Sequence, residues 1–135
     1  MIMTRNMPDT FNPTLWMIQG HIWVTPVWNN TENRNTPRPI VIVGNEQANN
    51  TLALIVNFIT KQEPRDQFDI PLDYWQEAGL TVASFVRTAK PFTLLRKDLR
   101  QQPTDRNGMS VPRGYVGELH PHDLNKVITA CKHIY

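Results

Sequence analysis

"NTPRPIVIVGN", residues 35–45, sets an arginine between two prolines at the mouth of a β-branched run. Proline fixes its own φ and drives the preceding residue toward extended geometry, so Thr36 and Arg38 both read as extended and Arg38 keeps little backbone freedom. Pro39 is tolerated as the first residue of a strand, which makes "IVIV" (40–43) a strand and "GNEQANN" a turn after it. Before it, "HIWVTPV" (21–27) alternates Ile22, Val24 and Pro26 against Trp23, Thr25 and Val27 as a first strand. "WNNTENRNTP" (28–37) reads as a long polar loop between the two. "TLALIVNFIT" (51–60) is apolar on both faces except at Asn57, the pattern of a central, doubly covered strand. "FDI" (68–70), "LTVASFVRT" (80–88) and "FTLL" (92–95) read as further strands, the last of them ending the sheet, and "PLDYWQEAG" holds one helical turn.

The C-terminus is a helix. In "ELHPHDLNKVITACKHI", Pro121 takes a first-turn position and Asp123 follows two residues later, where proline and a carboxylate both suit a helix start. With His120 as N-cap, Leu119 and Leu124 form a hydrophobic staple. Leu124, Val127, Ile128 and Cys131 then recur at i, i+3, i+4 and i+7 as one apolar stripe. Lys126, Lys132 and His133 fall away from that stripe, the last two at the negative end of the helix dipole.

At 135 residues, 40% hydrophobic and 19% charged, the chain fits one globular domain. Eleven prolines against six glycines point to extended segments and stiff loops rather than a helical bundle. A net charge of +2 neither requires nor opposes a nucleic-acid partner, because distribution matters more than the sum. No apolar run approaches the roughly 20 residues that span a bilayer, and the N-terminus has no secretory pattern, so a cytoplasmic protein is expected. Residues 1–19 read as an N-terminal arm or poorly ordered leader before a domain at 20–135. The segment 96–114 reads as loop and is basic, with Arg96, Lys97, Arg100, Arg106 and Arg113 against Asp98 and Asp105.

The chemistry is narrowed by what is missing. A single cysteine, Cys131, makes no internal disulfide and no metal cluster. His120 and His122 form an H-x-H pair that capping explains, with no third ligand in view. No Gly-rich phosphate loop exists and no Ser, His and acid set stands out. Trp16, Trp23, Trp28 and Trp75 can stack on bases, although tryptophans more often belong to a core or interface.

The order of segments is informative. "GHIWVTPV", "RPIVIVGNE", "ALIVNFIT", "GLTVASFVRTAKPFTL" and "VGELHPHDLNKVITAC", with the threonine of "FIT" 22 residues after the arginine of "RPIVIV", resemble the PemK/MazF (Kid) family from about Gly20 to the C-terminus. These are toxins of bacterial type II toxin–antitoxin pairs. The resemblance implies a mainly β (α+β) fold, a small SH3-like β-barrel of the MazF/PemK/CcdB type with a C-terminal amphipathic helix. It also implies a homodimer, metal-independent and sequence-specific cleavage of single-stranded RNA, and no cofactor or metal. A cognate antitoxin would be the partner, operator DNA would be met only through that antitoxin, and no membrane is involved. Carried over by position, Arg38 matches the arginine of the R-P motif and Thr60 the threonine after the central strand, while Glu32 of "TEN" matches a loop glutamate; these three are the catalytic candidates. Arg87, Lys61 and Trp28 are the substrate-binding candidates. Two departures stand out: the family's aspartate two residues after the second arginine is Ala89 here, and the loop 28–37 has no histidine. Two other functions therefore stay open, a catalytically impaired binding module for antitoxin, RNA or operator DNA, and a CcdB-like poison of a protein target.

Guanidinium chemistry fits the first of these readings. Its planar fork matches two phosphate oxygens and stays ionised, but with a pKa above about 12 it is a poor base. Glu32 or a water is then the candidate to take the 2′-OH proton.

Overall fold

The computed structural model describes residues 11–49 and 53–134. Its strands are β1 (His21–Asn29), β2 (Arg34–Ile42), β3 (Ala53–Thr60), β4 (Asp69–Pro71), β5 (Phe85–Arg87), β6 (Phe92–Leu95), β7 (Pro103–Arg106), β8 (Met109–Pro112) and β9 (Tyr115–Glu118). A short helix α1 (Glu46–Asn49) and the terminal helix α2 (Pro121–Ile134) complete the elements, with 3-10 turns at Pro13–Trp16 and Arg96–Asp98. The main sheet runs β4-β5-β3-β2-β1-β9, and β6 continues along β3 on the stretch that β5 leaves unpaired. Every pairing in it is antiparallel. β4 and β9 are its two ends and do not bond to each other, so the barrel-like wall stays open. This is the expected mainly β domain with a C-terminal helix.

Alternation in β2 and β3 sends side chains to two cores. Val41, Val43 and Ile59 face the same cluster as Ile22, Leu119, Val127 and Cys131, under α2. Ile40, Ile42, Leu54 and Val56 face the opposite cluster with Trp23, Leu99 and Met17. Each aliphatic so buried stabilises the fold by roughly 1.5–3 kcal/mol. Asn57, the polar exception in β3, lies in the first core and accepts from Cys131 Sγ at 3.6 Å. Trp23 is a core residue whose indole N–H donates to Trp16 O at 2.8 Å, the partner that a buried tryptophan needs.

The C-terminal helix forms as its sequence dictates. His120 Nδ1 accepts the His122 N–H at 3.0 Å as N-cap, and Leu119 and Leu124 pack into the same core. Asp123 is buried and its two carboxylate oxygens accept the N–H groups of Asp73 and Tyr74 at 3.0 and 2.8 Å, tying the helix start to the turn after β4. Asp73, His122 and Asp123 converge there, and Lys126 Nζ lies 3.0 Å from Asp73 and 3.6 Å from Asp123, balancing the charge within the chain.

Four expectations change. The polar stretch 28–37 is mostly strand: β1 and β2 pair as far as Asn29–Arg34, and only residues 30–33 turn, with Asn33 at φ 56°. The stretch 80–88 is strand only at Phe85–Arg87, because residues 80–84 run outside the ladder. The sheet does not end at residue 95: β9 pairs with β1, and close approach makes this possible, since a Cβ on Gly117 would lie 2.2 Å from Ala78 O. Within 96–114, β7 and β8 form a hairpin around Asn107 and Gly108, both at positive φ. There the exposed Arg106 donates to the carbonyls of Tyr115, Pro112 and Arg113, so it fastens the hairpin to β9.

Of the expected arm at 1–19, residues 1–10 lie outside the described residues. Residues 13–16 form a turn capped by Asn12, and Met17 enters the second core. No helix among the described residues is long and apolar enough to cross a membrane.

Candidate active site

The β2–β3 ladder ends at Ile40–Phe58. Beyond that pair Arg38 is paired with Thr25 of β1, and Thr60 with Phe85 of β5. The strands therefore part company, and a cleft of about 560 Å³ opens between them. Its walls are residues 37–39, 59–62 and 80–82 with Arg65, Ser84 and Arg87. Four cations line it (Arg38, Lys61, Arg65 and Arg87) and, among the described residues, no carboxylate does. Such a lining favours an anion.

Arg38 is half-buried, with its Cζ 4.5 Å from the centroid of the Phe58 ring. It forms no hydrogen bond or ion pair among the described residues, so its donors are unspent. Pro37 and Pro39 stiffen its backbone, as the sequence implied, and the aromatic face stiffens its head by a cation–π contact. Phe58 is itself held by Phe92, ring centroids 4.5 Å apart.

Arg87 is arranged differently. It is buried, Nη1 donates to Asp69 Oδ2 at 3.2 Å, and Nη2 donates to Gln62 Oε1 at 3.1 Å and to Thr60 Oγ1 at 3.5 Å. Its fork is committed to the protein. Thr60 is also buried, and its Oγ1 accepts the Gln62 N–H at 3.1 Å. Lys61, just beyond β3, is exposed on the cleft wall.

The structure thus brings Arg38, Thr60, Lys61 and Arg87 to one cleft and leaves Glu32 and Trp28 out of it. Glu32 sits on the β1–β2 hairpin, where Arg34 Nη2 donates to it at 2.6 Å. Arg34 is itself roughly 13 Å along β2 from Arg38, at about 3.3 Å per residue. Glu32 is not part of the cleft lining. Trp28 is exposed on the same hairpin, its indole N–H donating to Asn30 at 2.8 Å. Sequence reasoning missed Phe58, Gln62, Arg65 and Asp69. Phe58 carried a signal, since it precedes Thr60 by two on a strand and so shares its face; Asp69 carried none, because only β4–β5 pairing places it opposite Arg87.

An antiparallel, helix-backed β domain with a cation-lined cleft at a strand divergence is the class that fold and site define. The model of the family described as "PemK-like, MazF-like toxin of type II toxin-antitoxin system" matches residues 18–135, and the chain belongs to that family. No curated protein matches it. Among solved structures, an endoribonuclease in complex with its cognate antitoxin from Mycobacterial species is similar at 19% identity and TM-score 0.63, over 87% of this chain and 92% of that one. The Mycobacterium tuberculosis toxin MazF-mt6 is similar at 18% identity and TM-score 0.59, over 84% and 94%. A MazE-MazF structure (Form-III) from Deinococcus radiodurans is similar at 13% identity and TM-score 0.62, over 87% and 94%. At these identities the likeness is one of fold.

Proposed function

We propose that this toxin is an endoribonuclease that cuts single-stranded RNA in the Arg38–Thr60 cleft, with the RNA's own 2′-OH as nucleophile. The observation that carries the reading is Arg38: a stiffened guanidinium, seated on Phe58, with no acceptor among the described residues, on the wall of a cationic cleft. The 2′ oxygen attacks the adjacent phosphorus, the bond to the 5′ oxygen breaks, and a 2′,3′-cyclic phosphate remains on the upstream fragment. Arg38 binds the phosphoryl oxygens where charge gathers, a contribution on the order of 10²–10³ in rate for a pre-aimed donor. The 2′-OH proton goes to solvent water, since no carboxylate lines the cleft among the described residues and guanidinium is too weak a base. Lys61 is the lining group able to return a proton to the leaving 5′ oxygen. Four cations and no carboxylate also make a poor seat for a divalent metal, which supports a metal-independent reaction.

The reading carries partners with it: a cognate antitoxin, a second copy of the chain, operator DNA reached only through the antitoxin, and a cytoplasmic setting. Trp28, exposed on the hairpin, suits stacking on a base of a strand that leaves the cleft. The test is incubation of the purified chain with single-stranded RNA in EDTA. Cleavage is expected from wild type, and Arg38→Ala should lower it by about 10²–10³ with an unchanged circular dichroism spectrum. Wild-type protein that leaves the RNA intact would overturn the reading. The lack of a carboxylate in the cleft favours one second reading, a module that binds RNA or antitoxin without cutting, and that result would support it.

A further inference from the structure

Asp69 and Arg87 are far apart in sequence, yet β4–β5 pairing sets them opposite each other. Both side chains are withdrawn from water, with 4% and 9% exposure respectively. Asp69 Oδ2 accepts Arg87 Nη1 at 3.2 Å and also the Arg65 N–H at 2.9 Å, so backbone and side chain fix it together. A guanidinium this buried needs such a counter-charge, and the pairing leaves Nη2 pointing at Gln62 and Thr60.

The consequence falls on Thr60. A hydroxyl has two lone pairs and one proton. Thr60 Oγ1 accepts from the Gln62 N–H at 3.1 Å and, in a longer contact, from Arg87 Nη2 at 3.5 Å, which occupies both lone pairs. Its proton is left to the remaining direction and meets no acceptor among the described residues. So held, Thr60 cannot take a proton from a 2′-OH, but it can give a hydrogen bond to a phosphoryl oxygen, and the adjacent cation strengthens it as a donor. Asp69 is not part of the cleft wall, so its negative charge serves Arg87 without facing the phosphate.

We propose that Asp69 is a positioning residue, acting through Arg87 to fix the Thr60 hydroxyl as a hydrogen-bond donor to the scissile phosphate. This rests on the nuclease reading above and adds a residue and a direction of donation to it.

The experiment is a double-mutant cycle of Asp69→Asn and Thr60→Val on an RNA that wild type cuts, with kcat and KM separated and the Kd of an uncleavable all-2′-deoxy strand measured beside them. Each single variant should lose about 10–100-fold in kcat, with KM and Kd within about threefold of wild type. The double variant should be no slower than Thr60→Val alone, because both changes act on one hydroxyl. Multiplying losses, a loss confined to KM and Kd, or an Asp69→Asn enzyme with wild-type kcat would overturn the inference. Should Asp69→Asn fail to fold by circular dichroism, Gln62→Ala replaces it, since Gln62 is exposed and its side chain is the other anchor of Nη2. That variant should lose about three- to tenfold in kcat and again not compound with Thr60→Val, whereas compounding would overturn the inference. A wild type that cuts no RNA sinks the nuclease reading and this inference together. An active wild type whose Asp69→Asn variant is equally active sinks the inference alone.

Discussion

Arg38 lies over the ring of Phe58, Cζ 4.5 Å from the centroid, and the two residues stand at the point where β2 and β3 separate. The ring face takes the place that a carboxylate would hold for a structural arginine. It steadies the head group while leaving the N–H edge for a ligand. A cation–π contact contributes about 0.5–2 kcal/mol, so Phe58→Leu should lower kcat/KM for RNA by roughly 2- to 30-fold. Folding should be followed separately, because Phe58 also packs on Phe92. An unchanged kcat/KM in a folded Phe58→Leu protein would show that the ring does not aim the guanidinium.

Binding should depend on salt in proportion to the cations that are free to meet phosphate. Arg38, Lys61 and Arg65 line the cleft, while Arg87 is already paired with Asp69. With about 0.7 counterion released per phosphate of a single strand, the slope of log K against log salt should be about −2 for a 2′-deoxy strand. Lys61→Ala should make it shallower by about 0.7. The measurement is a titration series in fluorescence anisotropy, and a slope near zero would contradict the cleft as the phosphate site.

Asp123 joins α2 to the turn after β4. Its carboxylate takes two backbone N–H groups and an ion pair with Lys126 from a buried position. Hydrogen bonds to a charged acceptor contribute about 1.5–3 kcal/mol, so Asp123→Ala should lower unfolding free energy by about 2–3 kcal/mol in urea denaturation. RNA cleavage by the folded fraction should be unaffected, as Asp123 is not in the cleft wall.

Asp73 adds an acid-side dependence. Hydrogen bonds from Lys126 first and His122 second, with their charges, hold its carboxyl below the ordinary 3.8. A lowered value in the folded chain means that the folded state releases this proton more readily than the unfolded one. The stabilisation is therefore present above a pH of about 3.8 and is lost as pH falls through the lower folded value. The difference in urea midpoint between wild type and Asp73→Asn should be visible near neutrality, shrink below a pH of about 4, and be reduced by salt because the pair is exposed.

The legible parts of the fold were those with a local cause. Pro121, His120 and the Leu124–Cys131 stripe announce α2, and the two-sided apolar run 51–60 announces β3 (Ala53–Thr60), because capping and burial are written within a few residues. Asn107–Gly108 was equally local: a hairpin needs positive φ at its centre, and an Asn-Gly pair supplies it. It lies within the segment 96–114 that reads as loop. The 28–37 hairpin was hidden because its strands are polar where they run past the core. That Arg38 and Thr60 come to one cleft is legible in their motif. Glu32 lies outside the cleft lining, on the β1–β2 hairpin, and alignment in a polar loop says nothing of where a hairpin extends. Asp69 and the Gln62 side chain meet Arg87 only because strands pair, and no spacing along the sequence encodes that.

The central claim is that Arg38 and Thr60 flank a phosphodiester attacked by its own 2′-OH. The most direct measurement maps the cut in an all-ribose strand in EDTA, then repeats it with a single 2′-deoxy residue on the 5′ side of that bond. The account predicts a 2′,3′-cyclic phosphate end from the first strand and no cutting at that bond in the second. Cutting of the substituted strand at the same bond would contradict it.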